Sequence, residues 1–161
     1  MGELKKAIRL RSEGRLEEAN VLLVELAARE QGNAYIQYQC AWSFDVLGKE
    51  AEAVPFYQTA LRLGLKDDED AQGAYLGLGS TYRTLGDYEN SRKVLEEGIS
   101  RFPNHWGLKV FYAMTLYNLD DHKGAMDLLL KGLAQTSMDP SISPYKKAIE
   151  FYADKLDEVW K

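Results

Sequence analysis

Residues 77–98 read GLGSTYRTLGDYENSRKVLEEG, and this stretch decides the fold. A tight turn, Leu85-Gly86-Asp87-Tyr88, lies near its centre, and helix-like periodicity flanks the turn on both sides. A glycine at such a turn supplies the left-handed backbone that ends a helix. The stretch therefore predicts a helix, a tight turn and a second helix.

The same kind of turn recurs along the chain at nearly constant spacing. The turn residues lie 34, 38 and 34 positions apart, at Gly14, Gly48, Gly86 and Asp120. A fixed period of this size is the sequence signature of a helical repeat array. Asp87 and Asp121 directly follow their turns, and we expect their side chains to accept hydrogen bonds from the first amides of the next helix.

Small side chains recur in register with these turns. When each turn residue is placed at position 15 of its unit, positions 8, 20 and 27 are small in all cases but Leu26. The small residues are Ala7, Ala19, Ala41, Ala53, Ala60, Gly79, Ser91, Gly98, Ala113, Ala125 and Gly132. Small residues at helix crossings let two backbones approach closely, so the register predicts where the helices pack.

The register divides a single domain, residues 1–161, into four units, at 1–33, 34–67, 72–105 and 106–139. The acidic insertion 68–71 is expected to extend the start of the next helix, where negative charge is favourable. A ninth, capping helix is predicted over 143–160, because a terminal unit needs its apolar face covered. The predicted fold is all-α: a right-handed α-solenoid of four helix-turn-helix units plus a C-terminal capping helix.

This pattern resembles the tetratricopeptide repeat (TPR) family, whose units carry small residues at positions 8, 20 and 27 and aromatic residues at 11 and 24. Tyr82 and Tyr57 match the aromatic positions, and Pro103 matches the family's proline in the third unit only. The family's tryptophan at position 4 is replaced in all four units. The resemblance covers residues 1 to about 139, and stretches 40–48 and 77–83 are also similar to small stand-alone TPR proteins of Gram-positive bacteria.

Composition and charge exclude several classes of protein. The net charge of −5 and the isoelectric point near 5.1 argue against a nucleic-acid partner. A single cysteine excludes a disulfide framework. No apolar run reaches the length of a membrane span, which argues against a membrane partner, and the first residues lack the apolar segment of a signal peptide. A cytoplasmic location is therefore expected.

No constellation of residues suited to catalysis is visible. Cys40 falls at a packing position and is expected to act as a small apolar side chain. His105 and His122 are 17 residues apart, without a carboxylate or cysteine at ligand spacing. Gly77 and Gly79 are not followed by the Lys-Ser or Lys-Thr of a phosphate loop. We therefore expect no enzymatic activity, no metal and no cofactor.

The first helix of each unit is expected to line a concave groove, and equivalent positions then form rows across it. The candidate binding residues on these rows are Tyr35, Tyr38, Trp42, Asp45, Leu76, Arg83, Val110, Met114, Tyr117 and Asn118. Aromatic side chains are common in protein-binding hot spots, and Arg83 and Asp45 offer polar groups that orient a peptide. The expected function is a protein–protein interaction scaffold for an unknown protein or peptide.

Two alternatives remain open at this stage. The rings of the groove could be covered by the protein's own N-terminal or ninth helix. The apolar stripe of the ninth helix is also broader than a cap needs, which favours self-association, including a homodimer. A carboxylate clamp that binds chaperone tails is not expected in this chain. The positions of the family's clamp residues hold Leu4, Ile8, Gln39, Gly73 and Gly77.

Overall fold

The computed structural model describes residues 2–161, which contain nine α-helices, one 3-10 turn and no strand. This confirms the predicted all-α class. The helices are α1 (Gly2–Ser12), α2 (Leu16–Arg29), α3 (Ala34–Asp45), α4 (Glu50–Leu63), α5 (Asp68–Thr84), α6 (Tyr88–Arg101), α7 (Trp106–Asn118), α8 (His122–Thr136) and α9 (Lys146–Tyr152). The 3-10 turn covers Ser143–Tyr145.

The chain divides into two compact units. Unit 1 ends at Asp87 and contains α1 to α5, and unit 2 is Tyr88–Lys161 and contains α6 to α9. Within unit 1 each helix packs on the next, and α3 also contacts α1 and α5. Within unit 2, α6 packs on α7, α7 on α8 and α8 on α9. Within each unit, neighbours in sequence are thus neighbours in space, as a helical repeat requires.

The predicted turn residues have the backbone that ends a helix. Gly14, Gly48 and Gly86 have φ angles of +80°, +68° and +79°, and Asp120 has a φ of +61°. This left-handed region costs glycine nothing but costs a residue with a Cβ roughly 1–2 kcal/mol. The fourth turn is therefore the strained member of the set.

Side-chain caps fix where α5 and α8 begin. The side chain of Asp67 accepts a hydrogen bond from the backbone N–H of Asp70 at 3.1 Å, and α5 starts at Asp68. The acidic insertion thus extends the start of a helix, as predicted. Asp121 accepts from the N–H of Gly124 at 2.9 Å and so caps α8.

The small positions of the repeat register are all buried. In unit 1 they contribute to a core that joins α1, α2 and α3: Ala7, Leu23, Leu26, Ala27, Ile36 and Cys40. Full burial of a leucine such as Leu23 stabilises the fold by about 1.5–3 kcal/mol. In unit 2, Ala113 and Leu116 of α7 pack on Ala125 of α8.

The last helix is shorter than the predicted 143–160. The 3-10 turn precedes it, α9 ends at Tyr152, and residues 153–161 contain two short turns and no helix. Ala153 is buried, and the N–H of Lys155 bonds to the carbonyl of Tyr152 at 2.9 Å instead of continuing the helical ladder. Lys123 at the start of α8 forms an ion pair with Asp157 at 2.5 Å. The helical periodicity of residues 153–160 is thus not realised as a helix.

Candidate functional site

The ten candidate groove residues fall in both units. Unit 1 holds six of them: Tyr35, Tyr38, Trp42 and Asp45 on α3, and Leu76 and Arg83 on α5. Unit 2 holds Val110, Met114, Tyr117 and Asn118, all on α7.

The aromatic residues of α3 form a stack with one exposed member. The rings of Tyr38 and Trp42 are stacked, with centroids 6.1 Å apart and planes 26° apart. The side chain of Asn33 caps α3 by accepting from the N–H of Ile36 at 3.3 Å, which fixes the start of the helix. Trp42 remains 40% exposed, so this ring is available to a partner.

Tyr38 is buried rather than lining the surface, with 8% of its area exposed. Its ring lies 6.2 Å from that of Tyr57, and its hydroxyl occupies the space where a side chain at Gly73 would be. Burial raises the pKa of Tyr38 to about 12. Tyr38 therefore packs against the Trp42 ring inside the unit, which corrects its expected role as a residue that contacts the partner.

Asp45 is also used inside the unit. Its Oδ2 accepts from the hydroxyl of Tyr57 at 2.5 Å, and its Oδ1 accepts from the hydroxyl of Thr81 at 2.9 Å. Burial raises the pKa of Asp45, against the opposing effect of these two hydrogen bonds. Because both oxygens are engaged, Asp45 ties α3 to α4 and α5, which corrects the expectation that it orients a peptide.

A residue of α1 completes the surface around Trp42. The Arg11 guanidinium lies over the Trp42 ring, 3.8 Å from its centroid, and Nη2 donates to Oε1 of Gln39 at 2.7 Å. Its Nη1 is buried without an acceptor in the protein. Burial lowers the pKa of Arg11, against the effect of nearby phenols, Tyr38 foremost. We call Arg11, Tyr35 and Trp42 the unit 1 aromatic surface.

Tyr35 lies at the edge of this surface and is partly exposed. It lines an open depression of about 720 Å³ between the α2–α3 and α4–α5 connections, together with Asp67 and Asp70. Burial raises the pKa of Tyr35, and the charge of Asp70 adds to that shift. Leu76 and Arg83 of α5 are partly exposed.

In unit 2 the candidate residues form an exposed apolar surface on α7. Tyr117 is 63% exposed and Met114 is 37% exposed, while Val110 and Asn118 are partly buried. The ring of Tyr117 contacts that of His122, with centroids 4.9 Å apart. His122 thus helps to hold Tyr117 in place.

Three features of the described residues concern metal binding, the single cysteine and membrane spanning. Between residues 2 and 161, no group of three or more His, Cys, Asp or Glu side chains is arranged to hold a metal. Cys40 is fully buried, and burial raises its pKa to about 12, which confirms its packing role. None of the described helices is long and apolar enough to cross a bilayer.

A family model described as tetratrico peptide repeat matches residues 34–156. The chain belongs to the tetratricopeptide repeat family. TPR proteins bind proteins or peptides and generally act as non-enzymatic scaffolds. The fold, the repeat character and the interaction class suggested by the sequence are thereby confirmed.

Similar proteins agree with this assignment. Superkiller protein 3 of Saccharomyces cerevisiae is 28% identical over 107 residues, which is 62% of this chain but only 7% of that protein. MamA 41-end from Desulfovibrio magneticus RS-1 matches with a TM-score of 0.74 at 17% identity, over 96% of this chain and 85% of that one. Cut9, in the APC/C hetero-tetramer Cut9-Hcn1, matches with a TM-score of 0.69 at 19% identity, over 97% and 30%. At these identities, the solved structures show the TPR fold alone.

Arg11 is not among the ten candidate residues, although the repeat register indicates it. Arg11 occupies position 12 of the first unit, the same position as Asp45 and Arg83. The N-terminal helix α1 contacts the Trp42 ring through Arg11, but the ring stays 40% exposed. The protein's own helix α1 therefore covers this ring only in part.

The C-terminal segment of this TPR chain carries a second exposed aromatic group. Phe151, Tyr152 and Trp160 contact one another, with ring centroids 5.1 to 6.2 Å apart. Each remains about half exposed, at 51%, 47% and 57%. We call these three residues the C-terminal aromatic cluster.

Proposed function

We propose that the chain is a non-enzymatic interaction module that binds a segment of another protein at the unit 1 aromatic surface. The observation that carries this proposal is an exposed Trp42 ring in contact with both the Arg11 guanidinium and the Tyr38 ring. A large ring fixed before binding loses little conformational entropy when a partner arrives, which is a property of hot-spot residues.

Further residues of the candidate set extend the proposed contacts. Leu76 and Arg83, on α5 of the same unit, are partly exposed. The exposed apolar area of Met114 and Tyr117 in unit 2 is a separate candidate contact. The net charge of −5 favours a protein partner over a nucleic acid. The absence of enzymatic activity and a cytoplasmic location remain predictions from the sequence.

The test is a selection of peptides from a random phage-displayed library on the wild-type protein. Synthetic versions of the selected peptides are then titrated, by fluorescence polarisation, against the wild type, Trp42→Ala and Val21→Ala. Val21 is a matched control because it is an exposed apolar residue, on α2. We expect Trp42→Ala to weaken binding at least about tenfold, since hot-spot truncations cost 2 kcal/mol or more.

Circular dichroism must show that both variants fold. Equal affinities for the wild type and Trp42→Ala would remove the unit 1 aromatic surface from the function. A failure to select any peptide that binds this protein would count against the proposal as well.

A second candidate function is self-association through the C-terminal aromatic cluster. Its support is that the three contacting rings are each about half exposed, and an exposed apolar patch of this kind marks an interaction surface. Sedimentation equilibrium over a concentration series tests it. We expect a dimer that Phe151→Ser with Trp160→Ser converts to a monomer, and a wild type that is monomeric at every concentration rules this function out.

A further inference from the structure

We propose that the segment bound at the unit 1 aromatic surface presents an aspartate or glutamate side chain to Arg11. This inference rests on the proposed function and adds to it the chemistry of the partner. It follows from the position of Arg11, a cation beside the exposed Trp42 ring that the chain leaves without a carboxylate.

Arg11 differs from three exposed arginines of unit 1, while a fourth, Arg62 on α4, is exposed and forms no ion pair with a described residue. Arg9, Arg15 and Arg29 are well exposed, and each forms an ion pair with a glutamate of this chain. Arg11 is partly buried and forms none with any described residue. The pairing is thus missing where desolvation makes an unpaired charge most costly.

Arg11 contacts only neutral groups of the described residues. It stacks on Trp42 and donates one hydrogen bond, from Nη2 to the neutral amide of Gln39. Nη1 has no acceptor in the protein. The groups that act on its charge are the phenols of Tyr38, Tyr35 and Tyr57, with no carboxylate among them. Arg11 therefore keeps donor capacity and an uncompensated charge.

The shape of a guanidinium is complementary to a carboxylate. A guanidinium is planar and presents its donors as a fork that matches the two oxygens of a carboxylate. Arg11 is already oriented by the Trp42 ring and by Gln39, so little rotamer entropy is lost when a carboxylate pairs with it. Nη1 itself is buried, but the side chain as a whole is partly exposed, so a carboxylate of a segment that lies on Trp42 pairs with the solvent-facing edge of the guanidinium.

An internal acidic side chain fits this surface better than a chain terminus. Holding a C-terminal carboxylate in a TPR groove takes several lysine and asparagine donors, and the corresponding positions here include Leu4, Ile8 and Gly77. One guanidinium beside an aromatic ring suits a single carboxylate in a continuing segment whose neighbouring residues contact Trp42.

The test is a double-mutant cycle between the protein and the peptides selected from the phage library. Each peptide is synthesised with its acidic residue, with the matching amide in its place, and with an amidated C-terminus. All are titrated against the wild type, Arg11→Gln and Lys5→Gln. Lys5→Gln is the matched control, since it makes the same charge change at an exposed position of α1.

We expect the selected peptides to share an Asp or Glu. Arg11→Gln, or the acid-to-amide change in the peptide, should weaken binding about tenfold, and the two together no more than either alone. Lys5→Gln should leave the affinity within about twofold of wild type. The peptide change leaves the protein untouched, so it gives the answer even if Arg11→Gln disturbs the fold.

Peptides that depend on Trp42 but tolerate both changes would overturn this inference and leave the proposed function standing. Peptides weakened by C-terminal amidation but not by loss of the acidic side chain would also overturn it, in favour of a chain terminus. Peptides that bind independently of Trp42 would overturn the proposed function and this inference together.

Discussion

The hydrogen bond between Tyr57 and Asp45 should couple α3 to α4 by a measurable free energy. The Tyr57 side chain is 2% exposed, and its hydroxyl lies 2.5 Å from Oδ2 of Asp45. Hydrogen bonds to charged groups contribute about 1.5–3 kcal/mol. We therefore expect a coupling free energy in that range from a double-mutant cycle of Tyr57→Phe with Asp45→Ala, measured by urea unfolding.

An exposed pair of the same chemistry provides the control. The hydroxyl of Tyr112 donates to Oε1 of Glu96 at 2.7 Å on the surface of unit 2. Solvent competes for both groups there, so the cycle of Tyr112→Phe with Glu96→Ala should give less than about 0.5 kcal/mol. A coupling of the same size in both cycles would refute the structural role assigned to Asp45.

Three further predictions concern individual residues. Gly77→Ala should lower the free energy of unfolding by about 1–3 kcal/mol, because its Cβ would lie 2.5 Å from Cζ of the buried Tyr57 ring; a more stable variant in urea unfolding would contradict the packing. Asp120→Gly should raise the free energy of unfolding by roughly 0.5–1 kcal/mol, since it relieves a φ of +61°; thermal unfolding measures the change, and no gain would argue against strain at this turn. Burial raises the pKa of Asp45, so the folded state holds that proton more tightly than the unfolded state, and the contribution of Asp45 to stability should fall as the pH rises from about 4 towards neutral. Asp45→Asn should remove that part of the pH dependence, and identical urea-unfolding profiles against pH for variant and wild type would speak against it.

The fold could be predicted because its determinants are local. A glycine with positive φ, such as Gly86, ends a helix whatever surrounds it, and a small residue such as Ala53 marks a close crossing. These features repeat at a fixed period, so each unit supports the interpretation of the others. The end of α9 at Tyr152 was not predicted, because the apolar spacing continues to Trp160 while the backbone leaves the helix after Tyr152.

The candidate site could be predicted only in part, because helical spacing gives the face of a residue but not its depth. Tyr38 lies on the predicted face of α3, yet Gly73 on α5 leaves space into which its hydroxyl fits. Asp45 shares that face, yet Thr81 and Tyr57 engage both of its oxygens. Such burial depends on residues far apart in sequence, which a single helix pattern does not contain.

The indole N–H signals of the three tryptophans offer the most direct test of the proposed binding surface. Trp42 lies in unit 1, whereas Trp106 and Trp160 lie in unit 2. We predict that titrating ¹⁵N-labelled protein with a library-selected peptide shifts the Trp42 signal and leaves the other two in place. A shift of the Trp160 signal with an unmoved Trp42 signal would contradict this account and favour the C-terminal aromatic cluster.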